Sequence, residues 1–191
     1  MKKIFAIMAL ATVIGTAAFA DGVFSAGVMG APLFGTYTDG DGLGYAGFGF
    51  GAYFDAKYAL VSLGGKFVKD RYEGESADES AKYFTIGLLG KFPIAIGERF
   101  SIAPALGFEY QVFTSYGDFK RADAKDALDG DYTLTNSYDN FVLKFGALAD
   151  LTITGGLYAR LGVLLDVGFS HKDAEDGTFG VGIPFGIGFR F

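Results

Sequence analysis

Residues 100–112 read FSIAPALGFEYQV, and large apolar side chains occupy nearly every second position of this stretch. The even positions, beginning with Phe100, carry bulky side chains, whereas the odd positions carry serine, alanine, glycine, glutamine and Glu109. Successive side chains of a β-strand point to opposite faces, so this period of two predicts a strand with one apolar face. An amphipathic helix would instead repeat every 3.6 residues.

The same alternation recurs along the chain and predicts eight strands, at about 23–36, 44–55, 59–70, 82–96, 100–112, 141–153, 157–169 and 179–191. The links after the second, fourth and sixth strands are short, at Asp55–Tyr58, Gly97–Arg99 and Thr154–Gly156. The other links are longer and polar. Such alternation is typical of an antiparallel up-and-down barrel that has periplasmic turns and extracellular loops.

The apolar face of these strands is best explained by contact with lipid. Half of the 191 residues are hydrophobic, and 30 are glycine. A soluble lipocalin-like barrel would turn its large side chains inward, but so many of them would overfill an eight-stranded barrel. Facing water, they would form an aggregation-prone surface. The pattern therefore predicts an all-β, eight-stranded transmembrane barrel, with glycine, alanine, serine and isolated charges inside.

The N-terminus has the pattern of a cleavable signal peptide. Lys2 and Lys3 precede a short apolar run, and Ala18 and Ala20 provide the small residues that signal peptidase recognises. The run is too short to cross a bilayer as a helix, and no later stretch is long and apolar enough to do so. Two segments are thus predicted: a signal peptide at 1–20 and a barrel domain at 21–191.

Composition excludes several classes of partner and cofactor. The formal charge is −6, and removal of two signal-peptide lysines leaves 14 basic against 22 acidic residues, or −8. An acidic chain is a poor ligand for nucleic acid. The absence of cysteine excludes disulfides, thiolate zinc sites and thiol nucleophiles. No motif indicates a cofactor, and we expect none.

The C-terminus carries a more specific motif. Gly186, Phe189 and Phe191 match the Gly-x-x-aromatic-x-aromatic end of the signal that the barrel assembly machinery reads, although Pro184 replaces its usual polar residue. With the signal peptide and eight strands, residues 22–191 resemble the small outer-membrane barrels: the OmpA transmembrane domain, OmpX, OmpW and the opacity proteins. The resemblance implies outer-membrane localisation, contact with outer-membrane lipid, and biogenesis by that machinery with periplasmic chaperones.

Nine charged side chains fall on the predicted lumen face, and their signs nearly balance. An ion-pair network that fills the narrow lumen is the favoured interpretation, because buried charges need partners. A gate or an ion path is the alternative. The nine residues are Asp55, Lys66, Lys91, Glu109, Lys144, Asp150, Arg160, Asp166 and Arg190.

Two further features of the strands carry expectations. Tyrosines near the loops and turns predict girdles at the level of the lipid headgroups, at Tyr37, Tyr45, Tyr58, Tyr72, Tyr83, Tyr116 and Tyr138. Prolines fall inside predicted strands, where each removes a hydrogen-bond donor, so we expect local bulges or register offsets at Pro32, Pro93, Pro104 and Pro184.

The loops offer no convincing reaction chemistry. Asp39–Gly42 begins like a calcium loop, but Leu43 occupies the third ligand position. Ser170 and His171 are adjacent, which points their side chains to opposite strand faces and makes proton transfer between them unfavourable. The many loop acids are expected to stay in water.

Three classes of function remain. The first is a structural or surface-interaction barrel whose loops meet an unknown extracellular ligand. The second is a narrow channel for small or hydrophobic solutes, as proposed for OmpW-like proteins. The third and least favoured is a lipid-modifying enzyme, so we expect the protein not to be an enzyme.

Overall fold

A computed structural model describes residues 24–38, 43–72, 75–120, 139–169 and 177–191. Its strands are β1 (Phe24–Tyr37), β2 (Leu43–Ala56), β3 (Ala59–Tyr72), β4 (Glu75–Ser76), β5 (Ala81–Lys91), β6 (Ile94–Ala95), β7 (Phe100–Tyr116), β8 (Phe119–Lys120), β9 (Asn140–Thr154), β10 (Leu157–Phe169), β11 (Thr178–Gly182) and β12 (Phe185–Arg190). Within the described ranges, no helix is long and apolar enough to cross a membrane.

The strands form one closed antiparallel barrel. Around the wall, β1, β2, β3, β5, β7, β9 and β10 follow one another, and β11 with β12 pairs with both β10 and β1. The short strand β6 continues β5 beside β7, while β4 and β8 extend hairpins above the wall. The wall therefore has eight strands, and the predicted eight-stranded antiparallel barrel is confirmed.

The predicted strand bounds agree with the observed ones to within a few residues, and the short connections lie where expected. Gly97 and Gly155 take positive φ values of 80° and 51° in two of the tight turns, which L side chains rarely adopt. The predicted signal peptide with Ala18 and Ala20, the loop Asp39–Gly42, and the pair Ser170–His171 lie outside the described residues.

Two prolines interrupt the wall strands without changing their register. Pro93 separates β5 from β6, and Pro184 separates β11 from β12. At Pro93, β5 and β6 pair with β7 in the same register: Lys91 of β5 lies opposite Ala105, and Ile94 of β6 lies opposite Ile102. The expected bulges and offsets are therefore absent at these prolines. The register shifts that do occur lie elsewhere, between Lys82 and Tyr83 and beside Leu157.

Pro104 and Pro32 fit inside continuous strands because each faces one of these interruptions. The backbone N–H of Phe92 donates to the carbonyl of Pro104 at 3.0 Å, and that of Ile183 donates to Pro32 at 3.1 Å. Each proline carbonyl thus still accepts a hydrogen bond from the residue opposite. Only the second bond of that residue pair is missing, because proline has no N–H to donate. Pro184 likewise accepts from the N–H of Gly162 at 2.7 Å.

The outer surface is a broad apolar belt. Leu106 is 60 % exposed and Val163 is 52 % exposed, and exposed phenylalanine, leucine, isoleucine and valine side chains recur around the whole wall. Gly162, beside Val163, is buried on the lumen side. A soluble monomer does not tolerate an apolar surface of this extent, so the predicted inside-out arrangement is confirmed.

Candidate functional site: the barrel lumen

The lumen contains an apolar middle layer with charged side chains on both sides of it. Leucines from β3, β5, β9 and β10 form the middle layer, and Met29 of β1 packs against it. One charged cluster lies toward the short turns and the other toward the long connections. The four leucines are Leu60, Leu89, Leu148 and Leu164.

The turn-side cluster is organised by Arg160 of β10. Its Nε and Nη2 donate to the two carboxylate oxygens of Asp150 on the adjacent β9, at 2.7 and 2.8 Å. Nη2 also reaches Oδ2 of Asp55 on β2 at 2.6 Å. Oδ1 of Asp55 in turn lies 3.0 Å from Nζ of Lys91 on β5. The cluster thus links four wall strands, and only 2 % of the Arg160 side chain is exposed.

Two tyrosines, Tyr53 and Tyr158, also belong to the turn-side cluster. The hydroxyls of Tyr53 and Tyr158 lie 2.9 Å apart, and that of Tyr158 also lies 2.9 Å from the hydroxyl of Ser25. Arg160 and Arg190 stack on the ring of Tyr158, with 5.4 and 4.6 Å between each guanidinium carbon and the ring centroid. The ring therefore gains cation–π attraction from both guanidinium groups.

Arg190 of β12 forms the outer edge of the turn-side cluster. Its Nη2 lies 3.3 Å from Oδ2 of Asp150, and its Nη1 donates to the hydroxyl of Thr152 at 3.0 Å. One third of the Arg190 side chain is exposed, so water screens this contact more than those of Arg160.

The loop-side cluster is organised by Lys144 of β9. Its Nζ lies 2.8 Å from Oδ2 of Asp166 on β10 and 3.5 Å from Oε2 of Glu109 on β7. Gln111 donates to Oε1 of Glu109 at 2.7 Å. Lys66 of β3 enters from the opposite wall, with its ammonium 5.8 Å from the ring centroid of Tyr45. All nine predicted lumen residues therefore lie in these two clusters.

A cavity of about 90 Å³ lies in the lumen between the two clusters. Glycines of β2, β3 and β5 line one side of it, the leucine layer lines another, and Lys66, Glu109, Lys144 and Arg160 supply its charged side chains. The space exists because Gly49, Gly51, Gly64 and Gly87 contribute no side chains there.

The tyrosine prediction is wrong for the half-buried Tyr37 and Tyr83 and for the buried Tyr45, which face the lumen. Tyr37 donates to Asp70 at 2.6 Å, and its ring packs edge-on against Tyr45. Proximity to a loop was the wrong criterion, because the position of a residue in the period of two sets its face.

Sequence reasoning also missed polar residues that complete the clusters. Tyr53, Tyr158 and Gln111 all lie on lumen-facing positions of the alternating pattern, which is the signal that could have identified them.

Asp139 lies just before β9, where its carboxylate accepts from the Tyr110 hydroxyl and from the Phe113 backbone N–H, at 3.0 and 2.9 Å.

The predicted assembly-signal residues lie on β12 and at the chain end. Phe189 and Phe191 are exposed on the apolar belt. Gly186 faces inward, where an added Cβ would lie 3.1 Å from the Cα of Met29, so the neighbouring strand leaves room only for glycine. Across the described ranges, no group of three or more metal-ligating side chains is present.

Comparison with known proteins identifies the fold. No protein-family model and no curated protein matches the sequence. Among solved structures, the chain is similar to Neisserial surface protein A (NspA), at 11% identity over 90% of this chain and 100% of that one, with a TM-score of 0.55.

Two other solved structures give lower scores. The outer membrane protein OprG from Pseudomonas aeruginosa matches at 13% identity over 89% of this chain and 96% of that one, with a TM-score of 0.47. Ail, the attachment invasion locus protein of Yersinia pestis, matches at 14% identity over 89% and 99%, with a TM-score of 0.45. The closed wall, its apolar belt and the likeness to NspA together show that this chain has the fold of the small eight-stranded outer-membrane β-barrels.

Proposed function

We propose that this protein is an integral outer-membrane barrel whose lumen is closed by its charged clusters, and which acts at the cell surface through its loops. The role is structural or one of surface interaction, with an unidentified extracellular ligand. Outer-membrane lipid covers the apolar belt. The barrel assembly machinery and periplasmic chaperones are its partners during biogenesis.

The observation that carries this proposal is the position of Arg160. Its guanidinium connects β10 to Asp55 on β2, a strand with which β10 does not pair, and Lys91 extends the connection to β5. A water path through the barrel would have to break these contacts. Each broken contact would leave a buried charge without its partner, which is costly.

The competing function is a narrow channel for small or hydrophobic solutes. The cavity favours this alternative, but charged side chains from both clusters border it. A channel would need these side chains to move aside together. A lipid-modifying enzyme has less support, because Ser170 and His171 are adjacent in the sequence and adjacent strand residues point their side chains to opposite faces.

Conductance in a planar lipid bilayer tests the proposal. We expect the unmodified protein to insert without producing a steady ohmic current. A suitable control is the double variant Asp55→Ala/Arg160→Ala, which removes the cross-lumen contact and should give intermittent openings. Insertion of both proteins is verified by protease protection in vesicles. Large, stable channels from the unmodified protein would refute a closed lumen and support the channel function.

A further inference from the structure

The cavity between the charged clusters has the features of a binding site for a small anion. Three cationic side chains line it, from Lys66, Lys144 and Arg160, against the single carboxylate of Glu109. Lys144 is held by Asp166 and Glu109, as described above. Lys66, by contrast, forms no ion pair with any residue that the structure describes.

Arg160 also retains one unused donor. Its Nε and Nη2 are occupied by Asp150 and Asp55, whereas its buried Nη1 has no hydrogen-bond partner among the described residues. A buried N–H group without an acceptor costs free energy, and a charged one costs more. The Arg160 donor and the Lys66 ammonium are thus available to an acceptor that enters the cavity.

We propose that this cavity binds a small carboxylate with a short apolar chain. The carboxylate accepts hydrogen bonds from Arg160 and Lys66, since charge-assisted bonds of this kind are the strong ones. The rest of the cavity surface comes mainly from leucines and backbone carbon of glycines, which suits a chain of a few carbons. Its volume of about 90 Å³ matches a ligand of a few non-hydrogen atoms.

Isothermal titration of the purified full-length protein in non-ionic detergent with sodium propionate tests this site. We expect saturable binding at one ligand per chain. Propionamide has the same shape without the charge and should bind at least tenfold more weakly. Sodium chloride should compete poorly, because it lacks the apolar chain. Absence of saturable propionate binding, or equal competition by chloride or propionamide, would overturn the proposal.

Two matched glycine variants locate the site. At Gly49, the nearest atoms to an added Cβ are 3.8 Å away, so a Cβ fits there, and Gly49→Val is designed to place two methyl groups in the cavity while leaving the charged residues in place. We expect at least tenfold weaker propionate binding. Gly90 faces outward, and its nearest such atom is 3.5 Å away, so Gly90→Val adds the same side chain on the lipid side and should change affinity less than twofold. Equal affinities for both variants would place any binding outside the cavity.

A third variant tests the chemistry even if Gly49→Val does not fold. Lys66→Met keeps the length of the side chain and removes its charge. We expect propionate affinity to fall at least fivefold while the weak binding of propionamide changes little. An unchanged propionate affinity would contradict the assigned role of Lys66. Because these titrations do not measure current, their outcome is independent of the conductance test of the proposed function.

Discussion

The guanidinium of Arg160 lies 2.6 Å from the carboxylate of Asp55, although these residues are 105 positions apart and their strands do not pair. The contact therefore crosses the lumen. It holds β2 at a fixed distance from β10 by side chains alone, in addition to the backbone ladders around the wall. Side chains in the lumen thus connect wall strands that are not neighbours.

Replacement of Arg160 should be strongly destabilising. Arg160→Met leaves Asp150 without its bidentate partner and Asp55 with Lys91 alone, so we expect a loss of roughly 3–5 kcal/mol in the free energy of unfolding. Because the chain has no tryptophan, urea unfolding in lipid vesicles is followed by circular dichroism and by gel mobility. Arg190→Met is the control and should cost clearly less, since that side chain is one third exposed. Equal losses would show that the cross-lumen contact contributes little.

The geometry of the loop-side cluster predicts which of its two acids, Asp166 or Glu109, contributes more to stability. Asp166 lies closer to Lys144 than Glu109 does, at 2.8 against 3.5 Å. Asp166→Ala should therefore destabilise more than Glu109→Ala, with the second costing about 1–3 kcal/mol because Lys144 keeps one carboxylate partner. The same urea titrations give both values. The reverse order would mean that Glu109 interacts mainly with Lys66.

An arginine on the apolar belt should reduce the stability of the barrel most near the middle of the bilayer and least near its surface. Val163 lies midway along β10 and faces outward, so Val163→Arg should reduce stability in vesicles by roughly 2–4 kcal/mol. Thr36 is also exposed but lies at the loop end of β1, so Thr36→Arg should cost about 0–1 kcal/mol. If Val163→Arg folds as well as the parent protein, the lipid-facing assignment of this position is wrong.

The C-terminal aromatic should matter more for assembly in cells than for folding in detergent. The backbone N–H of Phe191 donates to the carbonyl of Phe24 at 2.9 Å, so deletion of the residue removes a closing hydrogen bond together with the ring. Phe191→Ala keeps that bond and isolates the side chain. We expect much less of either variant in the outer membrane by immunoblot of fractionated cells, and near-normal refolding of Phe191→Ala in detergent. Equal outer-membrane amounts of Phe191→Ala and the parent would contradict the predicted assembly signal.

The fold could be predicted because barrel walls obey a local rule. The alternation in 100–112 and 157–169 depends only on neighbouring residues, and it located both the strands and their lipid-facing side chains. Pro104 could not be placed in the same way. Its tolerance depends on facing Phe92 beside the break at Pro93, which is a relationship between strands and not within one.

The lumen was predictable as a set of residues but not as a set of contacts. Alternation assigns Asp55, Lys91 and Arg160 to the inner face, yet their pairing depends on how far each side chain reaches across the barrel. The same limitation applies to the cavity. It depends on several glycines from different strands meeting at one height, which no single segment of sequence reveals.

Pro32 has a consequence for the barrel before it closes. Its carbonyl accepts from Ile183, so its missing donor faces the seam where the first and last wall strands meet. Until that seam forms, β1 is an open edge that could pair with a strand of another molecule. A proline on that edge removes one donor from any such foreign pairing. Any foreign strand paired at this position would thus lack one hydrogen bond, and the finished wall lacks only that same bond.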